Sequence, residues 1–311
     1  MRKLFELSPR TVACDLHPSY LSTQYANSLK ADKLIEIQHH WAHIASVLAE
    51  YNRQEEVIGL VADGTGFGTD GAIWGCECLI ASLQDFTRFG HLKYYPLAGG
   101  DKAAKEPIRP LLGLLGGDLE DKYKSLLAEI EPDASKRTII AAQLKKNLNT
   151  VQTSSLGRLF DAVAAICGLG RYNHFDAQLP MALEAAIAGG IDDCYESPIA
   201  PDGDGMMIFD YLPMVEAIIA DRANGTEAAI IAAKFHNTIA AAFACWAKMA
   251  AEKFGLDTVA ISGGVFCNRY LANRLISILK RDGFSVLFNR DFPANDGGIA
   301  LGQAAIAAAV T

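Results

Sequence analysis

In the run Gln38-His39-His40-Trp41-Ala42-His43, two histidines, His39 and His43, stand four residues apart, the interval that puts two side chains on one face of a helix. Imidazoles so placed can share one metal ion. If residues 38–51 are helical, His39, His43, Ser46 and Glu50 fall on one polar side, and Trp41, Ile44 and Leu48 form an apolar stripe on the other. Spacing alone leaves two readings open, a metal face and a solvated helix face with incidental histidines, because the glutamate of a His-Glu-x-x-His protease is missing. A cation site needs acidic partners.

Asp63 and Asp296 are the candidates. Each closes a strand-to-loop step, where α/β folds gather ligand-binding groups. With His39 and His43 they would form a mixed nitrogen and oxygen site for a divalent ion such as zinc, iron or magnesium, with positions left for a substrate phosphate. Taken singly, Asp63 also fits a turn and Asp296 a helix N-cap.

Several elements must bring these groups together. Residues 56–62 and 72–82 read as two strands of a hairpin joined by a glycine-rich connection. Gly66, Gly68 and Gly71 match G-x-G-x-x-G, but that fingerprint requires a helix next and a strand follows, so a dinucleotide-binding Rossmann unit is rejected. Further on, residues 155–167 and 227–254 read as helices around a variable loop at 191–210. The last sixty residues alternate strand 258–262, helix 268–282, strand 285–288 and helix 299–310, with Gly263-Gly264 and Asn295-Asp296-Gly297-Gly298 between them. Bare glycines at helix N-termini suit phosphates. Either loop could serve only as a tight turn; the two together with Asp63-Gly64-Thr65-Gly66 favour a nucleotide cleft.

The chain has 311 residues, half of them hydrophobic and 21% charged, which is ample for a buried core and for two lobes. We place the lobe boundary near residue 105, giving lobes 1–105 and 106–311. A net charge of −8 and a pI near 5.4 argue against a broad DNA-binding surface, which needs clustered Lys and Arg. Seven cysteines without paired Cys-x-x-Cys motifs fit reduced thiols, and Cys76 and Cys78 read as strand packing. The first ten residues lack the apolar core of a signal peptide, and no charge-free stretch of 18 residues reads as a membrane span. A cytoplasmic protein without a membrane partner is expected.

Residues 37–49, 62–75, 96–109, 154–168, 261–268 and 295–302, with Cys14-Asp15-Leu16-His17-Pro18-Ser19-Tyr20-Leu21-Ser22 near the start, resemble the carbamoyltransferase domain of the hydrogenase-maturation HypF family. The likeness runs nearly end to end. It implies an α/β, actin-like ATPase (ASKHA) fold of two lobes with a nucleotide and metal cleft between them. The tRNA threonylcarbamoyl transferase TsaD and antibiotic O-carbamoyltransferases share that fold.

The resemblance further implies a metal on His39, His43, Asp63 and Asp296 that touches the phosphate of carbamoyl-adenylate, an ATP-derived nucleotide. Gly157, Asp161 and Glu184 would meet the adenosine, and Gly64, Gly66, Gly263, Gly264 and Asn268 would complete the pocket. Lys102, Lys105 and Arg109 are candidates to steady phosphate or carbamoyl oxygens, although a charge run in a loop also reads as merely solvated. The family's acceptor is the C-terminal cysteine thiol of the partner HypE. A metal that polarises the mixed anhydride makes the carbamoyl carbon electrophilic, so no protein nucleophile is required.

The sequence also departs from that family. Acylphosphatase, zinc-finger and YrdC-like domains leave no trace in these 311 residues, and 12–15 resembles an internal family strand, as though the first hairpin of the fold were missing. The expectation is therefore a fragment that performs the final transfer. Ala182 stands where the family has an acidic residue, so only Glu184 is carried over. Small-molecule O-carbamoylation, tRNA threonylcarbamoylation and a non-catalytic nucleotide- and metal-binding docking fragment are the competing readings.

Overall fold

Alternation along β3 (Val57–Phe67) organises the molecule. In the computed structural model, which describes residues 8–117 and 120–311, Val57 and Val61 face one helical layer while Ile58, Leu60 and Ala62 face another. A strand buried on both sides must read as a continuous apolar run, as this one does. The opening residues 1–7, read above for a signal segment, lie outside the described residues.

Two elements precede it: β1 (Thr11–Asp15) and β2 (Lys33–Ile37) pair in parallel as a separate two-stranded sheet, with α1 (Leu21–Ser28) between them in sequence. Next comes α2 (His39–Glu50), the expected histidine helix, with Gln38 as its N-cap. After β3 the chain runs through β4 (Ile73–Ala81), β5 (Phe86–Leu92), β6 (Tyr95–Ala98), α3 (Lys102–Lys105), α4 (Ile108–Leu114), α5 (Glu120–Ile130), α6 (Ala134–Lys145), β7 (Thr150–Thr153), α7 (Leu156–Ile166) and α8 (Gln178–Ala185). It continues with β8 (Ile199–Pro201), β9 (Met207–Phe209), α9 (Leu212–Ala223), α10 (Ala228–Phe254), β10 (Thr258–Ser262), α11 (Arg269–Arg281), β11 (Ser285–Phe288) and α12 (Ile299–Ala309).

The main sheet is mixed, in the order β11-β10-β3-β4-β5-β9-β8, with β7 pairing the end of β4 and β6 pairing β7. On one face α2 places Ile44, Val47 and Leu48 against Val61, Leu79 and Ala260. The opposite face is covered by α7 and α10, whose Phe160, Phe235, Phe243 and Trp246 share a core with Cys76, Cys78 and Ile80. Both cysteines thus serve packing. Glycine sets how near α12 comes to α2: a Cβ at Gly302 would lie 1.9 Å from the Ala42 carbonyl oxygen. By length and composition α10 could cross a membrane, but 67% of its apolar window is buried inside the fold.

Two readings change. Half of the glycine-rich connection is strand, because β3 continues to Phe67 and the turn shrinks to residues 68–72. The ladder is interrupted between Ala62↔Cys76 and Gly66↔Trp74, so Asp63, Gly64 and Thr65 bulge opposite the single Gly75, and bulges re-aim side chains. The loop expected at 191–210 contains the β8–β9 hairpin. The main sheet draws strands from both sides of residue 105.

Candidate metal and nucleotide site

The β3 bulge aims Asp63 at the first turn of α2, and the loop before α12 brings Asp296 to the same point. His39 Nε2 lies 3.2 Å from Asp63 Oδ2 and 3.5 Å from Asp296 Oδ1. His43 Nε2 lies 3.5 Å and 3.7 Å from the same two atoms. Donors around a tetrahedral ion with bonds of about 2.1 Å stand about 3.4 Å apart, so one cation fits among the four. The buried His43 Nε2 also has no hydrogen-bond partner, and a cation would satisfy it.

Both rings are anchored from behind. His39 Nδ1–H donates to Asp15 Oδ2 at 2.8 Å, which leaves the Nε2 lone pair for a metal. His43 Nδ1 lies 3.4 Å from Ser262 Oγ, and Ser262 donates to Asn289 Oδ1 at 2.9 Å. At the helix start Gln38 Oε1 accepts from Trp41 N, while its amide donates to Phe67 O and to His40 Nδ1, tying α2 to the end of β3. His40 is not one of the four donors; it is fully buried beside Trp74, and burial pushes its pKa well down.

The electrostatics are those of a cation site. Burial would lower His39, yet hydrogen bonds to Asp15, Asp296 and Asp63 outweigh it and raise its pKa well above 6.5; His43 is likewise raised, against burial, by Asp296 and Asp63. The neighbouring His39 and His43 imidazoles hold the Asp296 carboxyl far below the usual range. Burial would raise Asp63, but the same two histidines hold it well below 3.8.

From Asp63 and Asp296 a cleft of about 1040 Å³ opens. Gly64, Gly66, Gly157, Glu184, Gly264 and Asn268 are among the residues that line it. A Cβ at Gly157 would lie 2.9 Å from the Gly64 Cα, so the start of α7 sits directly on the bulge and presents its N-terminal turn to the cleft. Glu184 Oε1 accepts from the Arg269 and Tyr270 amides at the start of α11. The Asn268 side chain caps α11 through Leu271 N and donates to His236 Nε2.

The other expected residues lie elsewhere. Gly263 is beneath β3, where a Cβ would lie 2.3 Å from the Ala62 oxygen. Asp161 is fully buried, 2.8 Å from Arg158 Nε, but off the direction of a hydrogen bond; it accepts from Asn173 Nδ2 at 2.8 Å, and burial raises its pKa to about 6. Arg109 is buried and paired with Glu106 at 2.6 Å, a corner it holds because Gly99 leaves room for its guanidinium. Lys102 is exposed and outside the lining, whereas Lys105 is part of it.

Two family models match: "HypF Kae1-like domain" over residues 1–50 and "Carbamoyltransferase, Kae1-like Domain, second subdomain" over residues 59–303. The chain belongs to the HypF carbamoyltransferase family. Among HypF relatives, a carbamoyltransferase HypF homolog of Cupriavidus necator is 39% identical over 96% of this chain and 78% of its own length. Carbamoyltransferase HypF2 of the same organism is 36% identical over 99% of this chain and 41% of its own length. HypF of Synechocystis is 35% identical over 97% and 40%.

A crystal structure of full-length HypF in the phosphate- and nucleotide-bound form superposes with a TM-score of 0.94 at 43% identity, covering 99% of this chain and 48% of that one. HypF of T. kodakarensis gives 0.83 at 33% identity, covering 95% and 39%. The chain therefore spans about two fifths to one half of most of these proteins, and its fold is the Kae1-like fold of HypF, in keeping with the actin-like expectation.

Three residues at the HypF-like site were not singled out from sequence. Asp15 and His17 lay inside the quoted Cys14–Ser22 segment, where only the Asp-x-His pattern hinted at a second layer behind the metal donors. Arg158, in the first turn of α7, lines the cleft with a terminal nitrogen 3.9 Å from the Cβ position of Gly64. Its signal was a cation at a helix N-terminus, where the dipole disfavours one, with an aspartate three residues on.

Proposed function

We propose that the chain transfers a carbamoyl group from carbamoyl-adenylate to the C-terminal cysteine thiol of HypE, the acyl step that precedes cyanide-ligand formation for a [NiFe]-hydrogenase. The reading is carried by one observation: four side chains able to ligate a metal stand together, and two of them, Asp63 and Asp296, open onto a cleft that glycine backbone and the first turn of α7 help to line.

His39, His43, Asp63 and Asp296 would hold a divalent ion, whether zinc, iron or magnesium. Such an ion supplies Lewis acidity at a phosphate oxygen. The N-terminal turn of α7 and the backbone at Gly64 and Gly264 accommodate the anion. Arg158 and Lys105, rather than Arg109 and Lys102, are the cations assigned to phosphate oxygens. Glu184 keeps Oε2 free for the ribose, since only Oε1 is engaged by α11. With the anhydride so held, thiolate attack on the carbamoyl carbon forms the C–S bond and expels AMP with the electron pair of the broken C–O bond.

In this reading residues 1–105 carry three of the four donors, and residues 106–311 carry Asp296 and most of the nucleotide pocket, as two lobes of a cytoplasmic protein. The test is direct: the chain mixed with carbamoyl-adenylate and HypE should add one carbamoyl mass to the partner's terminal cysteine. An unmodified partner refutes the proposal.

A further inference from the structure

His17 is held by two hydrogen bonds and two ring contacts. Its backbone N–H donates to Asp15 Oδ1 at 2.8 Å, and the other oxygen of that carboxylate accepts from His39. One carboxylate thus fixes both a metal donor and the segment that carries His17. The ring stacks on Tyr20 with centroids 4.3 Å apart and planes 4° from parallel, and meets Phe67 edge-on at 5.0 Å. His17, Tyr20 and Phe67 all line the cleft onto which Asp63 and Asp296 open.

The two ring nitrogens of His17 are not equivalent. The Ser19 backbone N–H donates to Nδ1 at 3.1 Å. An amide can only donate, so Nδ1 carries the lone pair, and the proton of the neutral ring resides on Nε2. Protonating Nδ1 would set two N–H groups against each other. Among the described residues no protein group bonds Nε2. The free nitrogen of this cleft-lining ring is therefore a donor.

We propose that His17 is a fixed hydrogen-bond donor, through Nε2–H, to the carbonyl oxygen of the carbamoyl group being transferred, and not the base for the incoming thiol. The assignment rests on the carbamoyl-transfer reading above. As sulfur attacks, the carbonyl π electrons move onto oxygen, where a preplaced donor gains most. The oxyanion then collapses, the C–O bond to phosphate breaks, and AMP leaves with that electron pair. His17 keeps its proton throughout. The thiol proton goes to bulk water before attack, since a free cysteine with a pKa of about 8.5 is a few per cent thiolate at neutral pH.

Two measurements test the proposal separately. Nitrogen-15 NMR of the intact chain, with His17→Gln to assign the ring, should show an unprotonated Nδ1 and a protonated Nε2; the opposite tautomer overturns the proposal. Transfer from carbamoyl-adenylate to a cysteine-terminated peptide should fall by a factor of about 10² to 10³ in His17→Ala, with AMP affinity by calorimetry unchanged. His17→Gln, whose amide nitrogen reaches the Nε2 position, should recover to within about tenfold of wild type with the same pH profile. A His17→Gln as slow as His17→Ala would mark a general base and overturn the donor role. No transfer by the wild-type chain would overturn the functional reading itself, and the NMR result would still decide the tautomer.

Discussion

His39 donates Nδ1–H to Asp15 across 2.8 Å while its Nε2 faces Asp63 at 3.2 Å. The ring is a relay between two carboxylates on opposite edges, one from β1 and one from the β3 bulge. Only the second can share an ion with it. The first fixes the tautomer and would raise the basicity of Nε2 toward a metal, which makes Asp15 part of the candidate metal site without being one of its donors.

Asp15→Ala should therefore weaken metal binding about 10- to 100-fold, measured by competition with a chelator of known affinity. Asp15→Asn, which keeps an acceptor for the Nδ1–H, should fall between that variant and wild type. His39→Ala combined with His43→Ala should bind no metal at all. Wild-type metal content by elemental analysis in the double variant would remove the site.

Protons compete with the cation. Both histidines are raised above 6.5 by the carboxylates around them, so each is more protonated at neutral pH than a free imidazole, and a metal binds only the neutral ring. Metal uptake at pH 7 should release protons, and affinity should weaken as pH falls from 7 to 5.5. Calorimetry in two buffers of different ionisation enthalpy reads the release as a difference in apparent heat. Identical heats would contradict it.

His236 makes the fold sensitive to acid. Burial, against a hydrogen bond to the Ala232 carbonyl, lowers its pKa from 6.5 to about 4; the neutral ring donates to that carbonyl at 2.7 Å and accepts from Asn268 at 2.8 Å. A histidine with a depressed folded-state pKa contributes stability above pH 6.5 that is lost as pH falls toward 4, here about 3 kcal/mol. Urea unfolding between pH 7 and pH 4 should lose about that much more stability in wild type than in His236→Gln. Parallel pH curves for the two would exclude the assignment.

Much of this was readable in the residues because it is local. The histidine helix and the last four elements follow from periodicity and strand ends and fall where expected, and Asp63 and Asp296 stand beside His39 and His43. What escaped is what only three-dimensional pairing decides. Arg109 and Lys102 look like phosphate cations in sequence, but Arg109 meets Glu106 one helical turn away, and the cleft takes Lys105 and Arg158 instead. Asp161 reads as a ligand residue and is buried behind Arg158. The bulge at Asp63 depends on register with β4, which no property of β3 alone reveals.

Gly66 links the bulge to the metal site by lacking a side chain. A Cβ there would lie 2.4 Å from His40 Cε1 and 2.8 Å from His39 Cδ2. Neither ring can yield easily: His39 is held between Asp15 and Asp63, and His40 between Gln38 and Trp74. Gly66→Ala should destabilise the fold by about 1–3 kcal/mol, the usual cost of overpacking, and should weaken metal binding as well because the displaced His39 ring is one of the four candidate donors. Gly189→Ala is the control, since its Cβ would meet nothing within 4 Å and should shift stability by less than about 0.5 kcal/mol. Denaturant midpoints and metal affinities of the two variants decide the matter. A Gly66→Ala protein with wild-type metal affinity would show that the His39 ring is free to move, contrary to the packing described.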